Sequence, residues 1–171
     1  MLLYIVLVLL IIICLLFLSM VWPPDSPWAP NWGTSKAVAR AECRLGNISS
    51  KDIVYDLGSG GGLALIIAAK EFGSRGVGVE IDLARHLISR VRASREGVSH
   101  KLIFKRGNLF EEDISKATAV FVYLVPKTLD RLIPKFRKEL KKGTPIISYR
   151  YEMNLELKKE DKKNHLRLYV I

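Results

Sequence analysis

A stretch of nine residues, Val54-Tyr55-Asp56-Leu57-Gly58-Ser59-Gly60-Gly61-Gly62, restricts the fold more than any other part of the chain. Residues suited to a buried strand run straight into a turn in which four of five positions are glycine. Glycine permits a tight turn and a close approach of backbone to a ligand. A helical stretch, Leu63–Ala69, follows at once. Strand, glycine turn and helix in this order are the opening unit of a parallel α/β sheet that binds ligands at the carboxyl ends of its strands.

The rest of the chain agrees with that unit. Asp52–Leu57, Gly76–Ile81, Lys101–Lys105, Ala119–Leu124 and Thr144–Tyr149 read as strands. Most are nearly continuous apolar runs, as expected of a parallel sheet covered on both faces. Helical periods lie between them. Leu83, Leu87 and Val91, with Ala84 and Ile88, make one apolar face, which is expected to be buried. Leu129, Leu132, Ile133, Phe136 and Leu140 make another, ended by Gly143. Pro134 is expected to kink or split that second helix near Ile133. Thr34 or Ser35 is placed to cap a helix running to about Gly46. The tail His165–Ile171 reads as a last strand, with Met153–Leu157 its expected partner. The fold class is therefore α/β, a Rossmann-like doubly wound sheet, mostly parallel.

Before this domain comes a different kind of sequence. Of residues 1–22, sixteen are Leu, Ile, Val or Phe and none is charged at neutral pH. About 20 such residues cross a hydrocarbon core of ~30 Å. A cleaved signal peptide fits poorly, because no basic segment precedes the run and no small-residue cleavage site follows. The expectation is a transmembrane anchor over 1–22, a Pro/Trp-rich linker over 23–33 and a catalytic domain over 34–171. Lys36 and Arg40 open a strongly basic domain behind the anchor. The positive-inside rule then puts that domain on the cytoplasmic side. A prokaryotic plasma membrane is favoured over a mitochondrial inner membrane, since no Arg-rich presequence precedes the run. Trp22, Trp28 and Trp32 suit the headgroup layer.

Composition excludes other classes. The 171 residues allow one compact domain behind the anchor. Two cysteines, Cys14 and Cys43, make no disulfide framework, and no Cys/His cluster has zinc-ligand spacing, so no metal is expected. The formal charge of +10 comes from 27 Lys+Arg against 17 Asp+Glu. Lys135, Arg137, Lys138, Lys141, Lys142, Lys158, Lys159, Lys162 and Lys163 concentrate it in the C-terminal half. A solvated surface is the commonest meaning of such a run. Contact with anionic lipid is the functional reading preferred over nucleic acid, because the chain is expected to be anchored. No aromatic-interleaved RNA-binding pattern is present.

The chemistry follows from two acids. Glu80 ends the second strand, 22 residues after Gly58. A carboxylate there accepts both hydroxyls of a ribose, which points to a nucleoside-containing cofactor. A dinucleotide fold wants Gly or Ala at the position held by Leu63. Asp56 would also oppose a diphosphate by roughly 3 kcal/mol at ~5 Å and an effective dielectric of ~20. The same carboxylate suits S-adenosylmethionine, which carries a sulfonium and an ammonium.

At these residues the chain resembles a known family. Asp56-Leu57-Gly58-Ser59-Gly60 followed by Glu80-Ile81-Asp82 is similar to the first two motifs of class I S-adenosylmethionine-dependent methyltransferases. More narrowly, the chain resembles the small membrane-anchored lysine methyltransferases that act on the adenine nucleotide translocase and the ATP synthase c-subunit, and their prokaryotic relatives. Pro27-Trp28-Ala29-Pro30, Arg106–Phe110, Val122–Pro126 and Ser148–Tyr151 share in that resemblance, which covers roughly residues 27–151.

The resemblance implies a class I methyltransferase fold and S-adenosylmethionine as cofactor. It implies that Asp56, Gly58, Ser59 and Gly60 hold the methionine part, that Glu80 binds the ribose, and that Asn108 and Leu109 lie beside the adenine. Tyr123 would orient the acceptor, with Trp28 and Pro126 at the substrate rim. The expected acceptor is a lysine of a membrane-associated protein. Methylation of a small molecule or lipid, a non-catalytic binding module, and a nucleic-acid methyltransferase are the alternatives. The chain departs from the family at Gly61, where an acid is common, at Asn108, where Asp is frequent, and at Tyr151–Asn154, where a Gly-Trp segment is missing.

Overall fold

The computed structural model describes residues 1–21 and 33–171. The linker expected over 23–33, with Trp22, Trp28 and Trp32, therefore lies almost wholly outside the described residues. From residue 33 the chain folds into one sheet of seven strands with helices on both faces. The strands are β1 (Ile53–Leu57), β2 (Arg75–Glu80), β3 (Leu102–Arg106), β4 (Ala119–Val122), β5 (Pro145–Tyr149), β6 (Leu157–Asp161) and β7 (Leu166–Val170). Their order is β3-β2-β1-β4-β5-β7-β6. The first five pair in parallel; β7 is antiparallel to β5 and to β6. The mostly parallel, doubly wound sheet read from the alternation of elements is the observed architecture.

The strand order reverses between β1 and β4, on either side of which the chain crosses to opposite faces. Strand alternation divides the core accordingly. Val54 packs with helices α2 (Lys36–Leu45) and α3 (Leu63–Glu71), while Tyr55 and Leu57 pack with α5 (Pro126–Glu139). Asp56, two residues after Val54, thus shares the α2 side of the sheet. Ser35 caps α2 by accepting a hydrogen bond from the Val38 N–H at 3.2 Å, and Gly46 ends it.

Three expectations are corrected. First, α4 (Leu83–Arg95) turns its apolar stripe outward. Leu83, Leu87 and Val91 are 41%, 48% and 52% exposed, while Arg85, His86, Ser89 and Ala93 are buried. Second, α5 is not split at Pro134; it runs on to Glu139. Pro134 and Asp130 are both exposed, so the carbonyl released by the missing N–H faces water. Burial of Leu129, Leu132 and Phe136 holds the helix across it. Third, the partner of the tail is Leu157–Asp161, not Met153–Leu157. Its sequence, LKKED, is polar because it is the sheet edge, where charge discourages pairing with another chain.

The N-terminal apolar run is helical: α1 spans Leu2–Val21. Its side chains are described over residues 3–17 and are all exposed. That stretch covers roughly 22 Å at ~1.5 Å per residue. Among the described residues no helix is long and apolar enough to cross a membrane. α1 touches the domain at α4.

Candidate active site

The turn after β1 is built on glycine for steric reasons. Gly58, Gly60 and Gly62 have φ of 83°, 51° and 75°, a region that L side chains rarely adopt. At Gly62 a Cβ would also lie 2.7 Å from the Phe104 ring and 2.9 Å from Ser89 Cβ. Three hydrogen bonds tie the turn to β2. The Gly58 and Ser59 N–H groups both donate to the Val79 carbonyl, at 2.9 and 3.0 Å. The Gly60 N–H donates to Glu80 Oε2 at 2.8 Å, and the Asp82 N–H to Glu80 Oε1 at 3.0 Å. Glu80 is 5% exposed. Each of its oxygens keeps a lone pair beyond the backbone bond, as a carboxylate that receives ribose hydroxyls must.

A cavity of about 290 Å³ opens beside this turn at the carboxyl ends of β1 and β4. Asp56, Gly58, Ser59, Gly60 and Tyr123, all singled out from the sequence, line it. Thr34, Glu42, Gly61 and Arg92 line it too; Gly61 belongs to the glycine turn read from the sequence, whereas sequence reasoning puts none of the other three forward as a site residue. The signal for Glu42 is tertiary: a single acid in an otherwise ordinary helix, buried because α2 lies over Asp56.

Three oxygens in this cavity are buried and without a hydrogen-bond partner among the described residues: Thr34 Oγ1, Glu42 Oε2 and Ser59 Oγ. Buried polar atoms normally have partners, so their convergence on one cavity marks a polar ligand. The electrostatics point to a cation. Burial, with Glu80 nearby, pushes the Asp56 carboxyl up to about 7. Burial, with Asp56 nearby, pushes Glu42 well above the ordinary carboxylate range. A cationic ligand would offset both penalties.

Tyr123 leaves the end of β4 into an aromatic group. Its ring centroid is 4.5 Å from that of Tyr149 and 6.2 Å from that of Tyr151. The Arg150 guanidinium stands 5.9 Å from the Tyr123 centroid and 5.3 Å from that of Tyr149, within cation–π range. Burial raises the Tyr123 phenol above its ordinary value, against the opposing pull of Arg150. It is therefore a protonated hydroxyl at neutral pH.

Among the described residues, Glu80, Asn108, Leu109 and Pro126 are not part of the cavity wall. Asn108 and Leu109 follow β3 at the same edge of the sheet. The Asn108 side chain accepts from the Phe110 N–H at 3.1 Å and donates to Glu111 at 3.0 Å, and Leu109 packs into the α5-side core. Pro126 is at the start of α5. Trp28 lies outside the described residues. Cys43 is buried and its thiol is pushed up to about 12 by burial, which makes it unreactive. Among the described residues no group of His, Cys, Asp or Glu is arranged to hold a metal ion.

The features above fit S-adenosylmethionine, and the comparisons agree. Residues 56–159 match the family model of the ANTKMT methyltransferase domain. A protein-lysine N-methyltransferase of Saccharolobus islandicus is 38% identical over 135 residues, which is 78% of this chain and 82% of that protein. An ATP synthase c-subunit lysine N-methyltransferase of Xenopus laevis is 37% identical over 60% of this chain and 45% of its own. The chain thus spans less than half of that animal relative. Among solved structures, an RNA methyltransferase from Salinibacter ruber in complex with S-adenosyl-L-homocysteine superposes with a TM-score of 0.80. It is 36% identical and covers 82% of this chain and 94% of its own.

Proposed function

This chain belongs to the ANTKMT methyltransferase domain family, an S-adenosylmethionine-dependent methyltransferase by its fold and relatives, and we propose that it methylates a lysine side chain of a membrane-associated protein. S-adenosylmethionine, when bound, supplies a methyl group on a positively charged sulfur. Asp56, Ser59 and Gly60 would hold its amino-acid end and Glu80 its ribose. What remains for the protein is to present a neutral acceptor nitrogen in line.

The aromatic group at Tyr123 carries this reading. A lysine arrives as an ammonium with an ordinary pKa of ~10.4. Tyr123, Tyr149 and Tyr151 offer faces to a cation, and Arg150 already occupies that surface as one. Partial desolvation there, beside a fixed positive charge, lowers the pKa of an arriving amine and favours its neutral form. Tyr123 lines the cavity, and in this reading its hydroxyl would accept from the acceptor N–H and turn the nitrogen lone pair towards the methyl group. It is no base, since its phenol is held above the usual range. The proton passes to water.

The membrane enters through α1. Its 20 residues bear no charge, and the outward stripe of Leu83, Leu87 and Val91 lies on the helix that α1 touches. An anchor with an apolar surface beside it would hold the domain at the interface on the cytoplasmic side of a prokaryotic plasma membrane. The basic residues would lie towards anionic lipid. A second reading, RNA as acceptor, is favoured by the similarity to the Salinibacter RNA methyltransferase and by the charge of +10.

The test is full-length protein in lipid nanodiscs with radiolabelled S-adenosylmethionine, a membrane fraction and total RNA. Label in protein, released as methyl-lysine on hydrolysis, is the expected result. Label confined to RNA, or to a lipid extract, overturns the lysine assignment. Flotation with vesicles containing anionic lipid, lost on deletion of residues 1–22, is the expected result for the anchor.

A further inference from the structure

We propose that Glu42, acting with Asp56, takes the ammonium at the amino-acid end of S-adenosylmethionine, and that Arg92 takes the carboxylate of the same group. The assignment rests on S-adenosylmethionine as cofactor and is independent of the acceptor.

Glu42 is a liability in the fold taken by itself. It is 3% exposed, and its Oε2 has no partner among the described residues. It makes no ion pair among the described residues, and its charged neighbour across the cavity is another carboxylate, Asp56. A buried acid so placed is destabilising unless a cation reaches it. An ammonium between the two carboxylates would partner both. Thr34 Oγ1, also buried in this cavity and unpartnered among the described residues, is a further acceptor for it.

An amino-acid end carries a carboxylate on the same carbon as the ammonium, so the site needs a cation as well. Arg92, on α4, is the arginine that lines the cavity. Its Nη1 donates to the Gly61 carbonyl at 3.0 Å. That bond fixes the guanidinium and uses one of its five donors. Gly61 makes room for it, since a Cβ at that position would lie 2.9 Å from Nη1. The departure at Gly61 thus has a structural meaning. An acid in the turn would engage Arg92 directly and withdraw it from a ligand carboxylate. Here the turn is bare, the guanidinium is available at the rim, and the additional carboxylate comes from α2.

Three ligands separate this role from a structural one. S-adenosylmethionine and S-adenosylhomocysteine carry the amino-acid end; 5′-methylthioadenosine lacks it. Calorimetric titrations of the full-length chain in detergent are expected to show Glu42→Gln weakening the first two by about tenfold or more, the scale of a lost charge-assisted hydrogen bond. The third should change by less than about twofold. Arg92→Gln should behave alike, whereas Glu80→Ala should weaken all three. A second variant guards against misfolding: Glu42→Leu should raise the melting temperature of the ligand-free protein, by removing a buried acid, and still lose the stabilisation by S-adenosylmethionine. Equal weakening of all three ligands by Glu42→Gln, or no weakening of any, overturns the assignment alone. A wild-type chain that binds none of the three overturns the cofactor reading and the assignment with it.

Discussion

Glu80 and Gly60 are joined by a hydrogen bond of 2.8 Å that locks the glycine turn onto the end of β2. The carboxylate that should receive the ribose is therefore also the brace of the loop that should hold the methionine part. Glu80→Ala should remove both functions. We expect S-adenosylmethionine affinity to fall by about two orders of magnitude, two charge-assisted hydrogen bonds at ~1.5 kcal/mol each. Glu80→Gln keeps one acceptor oxygen and should lose less. An alanine variant that binds the cofactor as tightly as wild type would refute the ribose role.

The paired acids make stability and binding depend on pH in opposite ways. The Asp56 carboxyl is raised from 3.8 to about 7, and Glu42 is raised in the same direction. The facing charged groups are Glu80 on β2 and Arg92 on α4. Between about pH 4 and pH 7 the unfolded chain has released the Asp56 proton and the folded chain retains it; Glu42 adds to the effect in the same direction. The unfolded state then binds fewer protons, so ligand-free stability falls as pH rises through that window. A cationic ligand favours the ionised acids, so its affinity should climb over the same interval. Melting curves from about pH 4.5 to pH 8, with and without S-adenosylmethionine, should diverge as pH rises. Parallel curves would show that the acids do not face the ligand.

Gly62 tests the turn as a piece of packing. Its φ of 75° and the 2.7 Å approach of the Phe104 ring leave no room for a methyl group. Gly62→Ala should destabilise the domain by about 2–4 kcal/mol, adding backbone strain to overpacking. That corresponds to a melting temperature lower by roughly 5–15 °C. Gly60→Ala, with open space where its Cβ would be, should cost the fold much less, although it shares the positive φ.

These contrasts show what is readable in the sequence. The unit from Val54 to Gly62 and its partner Glu80 are local patterns: strand, turn and acid each follow from near neighbours, and all stand at the expected place. The rotation of α4 is not readable. Its period announces an apolar face through Leu83, Leu87 and Val91, but periodicity does not say which way a helix is turned. Close packing decides that here. Ser89 lies against Gly62, where only a small side chain fits, and this contact directs the stripe outward. Glu42 is invisible for a related reason. Nothing near it in the chain reports that α2 covers Asp56. The edge strand Leu157–Asp161 escapes notice because edge strands carry charge, which removes the apolar signature of a strand.

Tyr123 separates acceptor handling from cofactor binding. It lines the cavity, yet its ring belongs to the aromatic group with Tyr149 and Tyr151. Tyr123→Phe keeps that packing and removes only the hydroxyl. If the hydroxyl orients the acceptor nitrogen, kcat should fall by about 10–100-fold, the range of one misplaced hydrogen bond in a positioning role. The S-adenosylmethionine affinity should stay within about twofold. Tyr123→Ala removes a cation-binding face as well, so the KM for the acceptor should rise in addition. The pH profile adds a check. The phenol is protonated well beyond neutral pH, so the rate should follow deprotonation of the acceptor amine in wild type and in Tyr123→Phe alike. A profile whose limb vanishes in the phenylalanine variant would instead make Tyr123 the base. Unchanged kcat would remove it from the reaction altogether.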